Sequence, residues 1–216
     1  HQAALVHNSQ DDRLSRVGAG WSATFNARAQ RFSDGSVLIV RGDGSSYHFL
    51  PDGAGGFAVD ANQGARLVDA GGGRLELRVD DASTWVFDAS HPEGVGDLVE
   101  IRDGNGQVTT FTYAPLSGDP LFRSLTGITL PGNQSITVAS NAEGLVTGLT
   151  APDGRSWTLT YDGGRHLVGL VFPDGASKSF AYDAAGRITA AVDATGTTYL
   201  TNSYDDAGRV TSQGDA

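Results

Sequence analysis

One spacing constrains this chain more than any other feature. Tyr161-Asp162, Tyr182-Asp183 and Tyr204-Asp205 recur at steps of 21 and 22 residues, each followed by a glycine and an arginine: Gly164-Arg165, Gly186-Arg187 and Gly208-Arg209. A second turn falls between them, at Pro152-Asp153-Gly154, Pro173-Asp174-Gly175 and Asp193-Ala194-Thr195-Gly196. Two turns in so short a period leave room for two strands and nothing else, so each unit is one hairpin. A hairpin alone is marginal in water and needs a neighbour on each side.

The strands between these turns alternate. Trp157, Leu159 and Tyr161 fall on one face, as do Phe180 and Tyr182, while Ser156, Thr158, Thr160, Ser179 and Ala181 fall on the other. One face packs and the other is small and polar. The Asp after each Tyr is placed to accept hydrogen bonds from amides of its own turn. The Gly ahead of each Arg supplies a positive φ, and the Arg is long enough to reach an Asp on a neighbouring hairpin.

The same turn chemistry runs upstream. Asp-Gly steps begin at residues 34, 43, 52, 103, 153, 162 and 174, and the first three are evenly spaced. Asp-Gly between short apolar runs is a strong hairpin signal. Trp21 to Phe25, Val37 to Val40, Tyr47 to Leu50, Leu75 to Val79 and Thr84 to Phe87 read as strands. Leu98 to Arg102 and Gln107 to Tyr113 form a hairpin around Asp103-Gly104-Asn105-Gly106. In the tail, strands are expected near 123–130, 134–139, 145–150, 155–161, 166–172, 176–182, 187–193, 197–204 and 208–213. Residues 89–96 and 114–122 read as loops, the latter with Pro115, Gly118 and Pro120 marking the one internal seam. No segment shows the i, i+3, i+4 pattern of an amphipathic helix. The expected fold is all-β, with consecutive antiparallel hairpins forming an extended, coiled or shell-like sheet. Its parts are a polar lead-in (1–19), an N-terminal hairpin region (20–113), a loop (114–122) and regular repeats (123–216).

Composition narrows the function. With 25 acidic against 15 basic residues the net charge is −10, and Lys178 is the single lysine. Nucleic acid is a poor partner for such a surface, because phosphate neutralisation needs clustered cations. There is no cysteine, so disulfide and thiolate chemistry are excluded. No apolar run is long enough for a membrane-spanning helix. No methionine occurs, even at the first position, so the chain reads as a processed product or a piece of a longer one.

The tail resembles the tyrosine-aspartate (YD) repeats of the RHS family. Tyr182-Asp183-Ala184-Ala185-Gly186-Arg187-Ile188-Thr189 and Tyr204-Asp205-Asp206-Ala207-Gly208-Arg209-Val210-Thr211 carry the likeness. Tyr161-Asp162-Gly163-Gly164-Arg165 is one residue short, and Phe111-Thr112-Tyr113-Ala114 is a degenerate unit without the Asp or the Gly-Arg pair. Gly20-Trp21, Phe32 to Leu38, Gly42-Asp43-Gly44 and Phe49 to Gly53 are similar to the region that opens an RHS array. In that family such arrays coil into a shell, which in some members encloses a toxic polypeptide. The chain has few clear repeats, and it lacks the processing segment that precedes the cargo in toxin-carrying members. The resemblance therefore does not extend to enclosure or self-cleavage by this piece.

Each candidate site in the sequence has a plainer reading beside it. Trp157, Tyr161, Tyr182 and Tyr204 form an aromatic face on which a carbohydrate could stack, but packed core is the stronger reading. Arg41-Gly42-Asp43 spells an adhesion tripeptide inside a regular turn. Asp11-Asp12, Asp80-Asp81 and Asp205-Asp206 are surface or turn acids, since calcium requires six to eight converging oxygens. His7, His48, His91 and His166 fall on different elements without metal-ligand spacing. No nucleophile elbow is present.

The resulting expectation is a structural, non-enzymatic β-repeat scaffold of a bacterial secreted or cell-surface protein, without cofactor or metal, serving effector delivery or cell contact. The motif residues Tyr161, Asp162, Gly164, Arg165, Tyr182, Asp183, Gly186, Arg187, Tyr204, Asp205, Gly208 and Arg209 are structural in this reading. Its partners are adjoining repeats or a polypeptide cargo, with a cell-surface glycan or receptor as the alternative and self-association through an edge strand as a further expectation. Neither nucleic acid nor membrane insertion belongs to it.

Overall fold

The computed structural model describes residues 5–8, 13–58, 64–79, 82–91, 93–116 and 119–215. Four two-residue strands come first: β1 (Val6–His7), β2 (Leu14–Ser15), β3 (Gly18–Ala19) and β4 (Trp21–Ser22). A 3-10 turn at Thr24–Asn26 is the one helical element among the described residues. The next strands are β5 (Arg28–Arg31), β6 (Val37–Val40), β7 (Ser46–Phe49), β8 (Ala65–Gly71), β9 (Arg74–Val79) and β10 (Thr84–Asp88). Then come β11 (Val95–Arg102), β12 (Val108–Leu116), β13 (Asp119–Leu130), β14 (Gln134–Ser140), β15 (Val146–Thr150) and β16 (Ser156–Tyr161). The tail adds β17 (Leu167–Val171), β18 (Ser177–Tyr182), β19 (Ile188–Asp193), β20 (Thr198–Tyr204) and β21 (Val210–Asp215). The chain is all-β, as the turn spacing requires, and it forms two compact units.

The first unit comprises residues 23–136 among those described. β5, β6 and β7 pair in sequence, and β8 through β13 form an antiparallel meander. β11 also pairs with β5, Gly96 opposite Ala29, which joins the two runs. Alternation builds the core: Leu75 and Leu77 on β9 are fully buried while Glu76 between them faces the Arg102 guanidinium at 3.3 Å. Val37, Ile39, Phe49, Leu67, Phe87 and Leu98 complete this layer. Each such side chain contributes roughly 1.5–3 kcal/mol by leaving water.

The second unit takes residues 5–22 and 137–215 among those described. From β14 to β21 each strand pairs antiparallel with the next. One register shift recurs in every period. Thr160 faces Gly169 but Tyr161 faces Leu167; Ala181 faces Ala190 but Tyr182 faces Ile188; Ser203 faces Ser212 but Tyr204 faces Val210. The skipped residues, Val168, Thr189 and Thr211, form a bulge opposite each tyrosine and turn its ring across the sheet. The additional residue of the longer period is absorbed in β20, where Leu200 faces Ala191 and Thr198 faces Val192, so that Tyr199 is skipped. Val138, Leu145, Val146, Leu159, Leu167, Ile188 and Ala191 are the buried apolar side chains of this array among the described residues.

The structure differs from the sequence reading in several places, one being Trp21 to Phe25, where β4 ends at Ser22 and the 3-10 turn follows at Thr24–Asn26. Residues 114–122 are not a plain loop: β12 runs through Leu116, β13 begins at Asp119, and Ala114, Pro115 and Leu116 face Ser124, Arg123 and Asp119. Pro115 is tolerated because it borders a register shift, where a missing N–H interrupts no regular ladder. The two units divide at 136/137 and not at this seam. The polar lead-in is not a separate piece either. Its described residues belong to the tail's unit, where the Val146 N–H donates to Arg16 O at 2.8 Å and the Ala19 N–H donates to Arg165 O at 3.0 Å. The Asp11-Asp12 and Asp80-Asp81 pairs lie outside the described residues, as does Pro92 of the 89–96 connection.

Gly18 sets how closely the lead segment approaches the array. Its φ is +105°, and a Cβ there would lie 2.9 Å from Arg165 O and 3.3 Å from the Tyr161 ring. Gly18→Ala therefore strains both the backbone and the contact, and it is expected to lower unfolding free energy by about 1–3 kcal/mol. The control is Gly154→Ala, which has a similar positive φ but nothing within 4 Å. Urea unfolding of the two variants measures the difference.

Candidate functional site

The tyrosine-aspartate turns are the densest polar constellation in the second unit. Each tyrosine, turned across the sheet by the bulge, reaches the start of an earlier strand. Tyr161 Oη donates to Val146 O at 2.6 Å, Tyr182 Oη to Leu167 O at 2.6 Å, and Tyr204 Oη to Ile188 O at 2.8 Å. The sequence separation is 15, 15 and 16 residues, the last carrying the residue bulged out at Tyr199. In the first unit Tyr113 makes the same link, to Leu98 O at 2.8 Å across 15 residues. The unit that looks degenerate in sequence thus keeps the tyrosine's role while losing the turn that follows it. Burial pushes the Tyr182 hydroxyl up to about 12, even though it accepts the Trp21 indole N–H at 2.8 Å. Burial raises Tyr161 further, with Tyr182 adding to the effect.

The aspartates close their own turns. Asp183 Oδ1 accepts the N–H of Ala185 and of Arg187, both at 3.0 Å, and Asp162 Oδ1 accepts those of Gly164 and His166, both at 2.9 Å. Asp205 Oδ1 accepts the Arg209 N–H at 2.8 Å. Partial burial works against ionisation at Asp162 and Asp183. The hydrogen bonds from His166 and Arg187 nevertheless hold both carboxyls below the ordinary value.

The arginines do something the spacing does not announce. Arg187 and Arg209 pair with the aspartate of their own turn, Nε to Oδ2 at 2.7 and 2.9 Å, and not with an Asp on a neighbouring hairpin. An i, i+4 turn brings the two ends within reach, so the pair forms locally. Arg187 still reaches the next repeat, its guanidinium lying 4.6 Å over the Tyr204 ring with Nη1 3.3 Å from Asp205 O.

The short unit at Tyr161 corrects the motif assignment. Its turn has the same length as the others, but the residue at positive φ is Arg165, at +65°, where Gly186 and Gly208 stand at +77°. Gly164 does not take the left-handed conformation. Arg165 instead approaches Glu143 at 3.5 Å, and His166 occupies the arginine's place. Its Nδ1 lies 3.0 Å from Asp162 Oδ2 and its ring stacks on Tyr182 at 4.8 Å. A further turn escaped the sequence reading. Asn141 Oδ1 accepts the N–H of Glu143 at 3.0 Å and of Leu145 at 2.9 Å, with Gly144 at φ +79°. The available signal was Asn141 three residues before Gly144, one period ahead of Asp162.

The predicted aromatic face is present but not bare. Trp157, Tyr161, Tyr182 and Tyr204 are half-buried on successive β16, β18 and β20 strands. His166 stacks on Tyr182 and Arg187 on Tyr204. Trp21 from the lead segment packs edge-on against Phe180 at 4.9 Å. The adhesion tripeptide is likewise engaged: Arg41 lies 4.8 Å over Trp85, and a Cβ at Gly42 would stand 2.1 Å from Ala23 O. Among the described residues no three His, Asp or Glu side chains cluster as metal ligands.

Two histidines far apart in sequence both approach the Tyr182 ring. His7 lies 5.1 Å from the Trp21 ring and 6.3 Å from Tyr182, whose ring also carries His166. Burial, with a smaller electrostatic contribution from His166, lowers His7 from 6.5 to about 4. The unfolded chain therefore binds a proton that the folded chain refuses between those values. Stability is full above about pH 6.5 and declines as pH falls to about 4, by roughly 1–2 kcal/mol once solvent screening is allowed for. His7→Phe removes that slope. Urea midpoints measured from pH 7 to pH 4 are expected to separate the variant from wild type, because the depressed carboxylates lose their contribution only from about 3.8 downward.

Comparison with known proteins matches this geometry to a repeat family. The RHS Repeat model fits residues 141–177, 164–198 and 182–216, the stretch that holds the turns at Asn141, Asp162, Asp183 and Asp205. No curated protein matches the chain. Among solved structures, the N-terminal domain of the effector protein SpvB from Salmonella typhimurium strain LT2 is similar at 13% identity, covering 89% of this chain and 93% of that one, with a TM-score of 0.44. TcdB2-TccC3 without its hypervariable C-terminal region is similar at 16% identity over 85% of this chain, with a TM-score of 0.39. The Photorhabdus luminescens Tc holotoxin pore is similar at 15% identity over 88%, with a TM-score of 0.37. The chain spans about a tenth of the length of those last two. The repeat match and the turn geometry agree over the same stretch: residues 141–216 are RHS repeats.

Proposed function

We propose that this chain is a structural wall segment of a larger RHS-type protein that is secreted or displayed on a bacterial surface. It holds adjoining repeats, or a polypeptide cargo, against its sheet and so serves effector delivery or cell contact. The observation that carries this reading is that the polar groups of the motif are engaged with one another. Tyrosine hydroxyls bond to strand carbonyls, aspartates to their own turn amides, and Arg187 to both its own Asp183 and the next Tyr204. Groups so engaged hold hairpins together and are poorly placed to turn over a substrate.

The glycan alternative needs open aromatic rings. Trp21 packs on Phe180 and bonds to Tyr182, which leaves that part of the face covered and gives stacking little support. No helix among the described residues is long and apolar enough to cross a membrane.

The test is recovery of the protein from its native bacterium with an antibody to the chain, after separation into cytosol, envelope and medium. The expected result is recovery from envelope or medium, in tight complex with a polypeptide encoded at the same locus. Recovery from cytosol alone, without such a polypeptide, would overturn the reading.

A further inference from the structure

The repeat makes two corners of the molecule comparable: one holds the Trp21 indole and the other opens into a cavity. Phe180 stands two residues before Tyr182 and faces Ala191 across the ladder. Leu170 stands three residues after Leu167, whose carbonyl accepts the Tyr182 hydroxyl. The Trp21 indole packs on Phe180 at this corner. In the first unit, Phe111 stands two residues before Tyr113 and faces Ile128. Ile101 stands three residues after Leu98, whose carbonyl accepts the Tyr113 hydroxyl. At this second corner there is a cavity of about 480 Å³ floored by Phe25, Ile101, Phe111 and Ile128, all buried. That volume is within the range of small-molecule sites and large enough for an aromatic ring. Asp103 at the rim is the only formal charge among the lining residues, and Gln107 beside it is polar.

We infer that this cavity is a docking pocket for an aromatic side chain carried next to a lysine or arginine on a partner polypeptide. The floor offers the same Phe-centred apolar corner that takes an indole in the tail repeats. The rim offers a carboxylate to a neighbouring cation. Asp103 Oδ1 is occupied by the N–H groups of Asn105 and Gln107, both at 2.9 Å, so the carboxylate is fixed in place by its turn. The inference does not depend on where the protein resides or on what it delivers.

The experiment is a methyl and amide NMR titration of the whole chain with two probes, L-tryptophanamide (cationic) and N-acetyl-L-tryptophan (anionic), at low salt. Saturable shifts centred on Ile101, Phe111 and Ile128 are expected, with the cation binding at least threefold tighter. Two variants sharpen the result. Gln134→Trp, at the exposed rim, is expected to fill the cavity and weaken binding at least tenfold. Asp103→Asn keeps the turn, as Asn141 does in its own, and is expected to bind both probes but erase the preference for the cation. No saturable shift, shifts confined to the Trp21 corner, equal affinity for both probes in wild type, or a preference that survives Asp103→Asn would each overturn the inference.

Discussion

The hydrogen bond from each repeat tyrosine to the carbonyl at the start of an earlier strand is the interaction on which the tail depends. One such bond contributes only about 0.5–1.5 kcal/mol net. Its importance is positional. An isolated hairpin is marginal, and this bond joins the first strand of the hairpin closed by one Tyr-Asp turn to the second strand of the hairpin before it, burying a ring on the way. The links at Tyr161, Tyr182 and Tyr204 repeat with the period, and Tyr113 shows the same device in the first unit. The bulge opposite each tyrosine is what aims the hydroxyl, so the register shift and the bond are two parts of one feature.

The rest of the motif divides around that link. The Asp fixes the turn by accepting amides, a role Asn141 performs equally, which shows that the acceptor geometry matters more there than the charge. The residue four places on covers the next tyrosine. Arg187 does this through its guanidinium and His166 through its ring. A planar cation or an imidazole meets the need; Leu145 in the same place turns inward and joins the core. The lead segment then uses the same face, with Gly18 allowing close backbone approach and Trp21 donating to Tyr182.

Much of the fold was legible because Asp-Gly and Pro-Asp-Gly turns punctuate the chain so regularly. Strand positions from Gln134 onward fell within a residue or two of those expected, and the alternation at Trp157, Leu159 and Tyr161 was read correctly. What could not be read were facts about distance. Nothing local in Val17, Gly18 or Trp21 says that they pack on strands well over a hundred residues away. The approach of both His7 and His166 to the Tyr182 ring is hidden for the same reason. Arg165 misled because a motif was matched by residue type, while the turn conserves its length and places whichever residue comes fourth at positive φ. Pro115 misled because a proline beside a register shift looks, in sequence, like a loop.

The most direct test of the account is amide hydrogen exchange on Tyr182→Phe, which deletes one hydroxyl and leaves the ring. If the hydroxyl links successive hairpins, protection falls in β17, β18 and β19 and also around Trp21, while β9 and β10 of the first unit keep theirs. If exchange changes only at residue 182 and its immediate ladder partner, the tyrosine is packing alone and the linking role assigned to it is wrong.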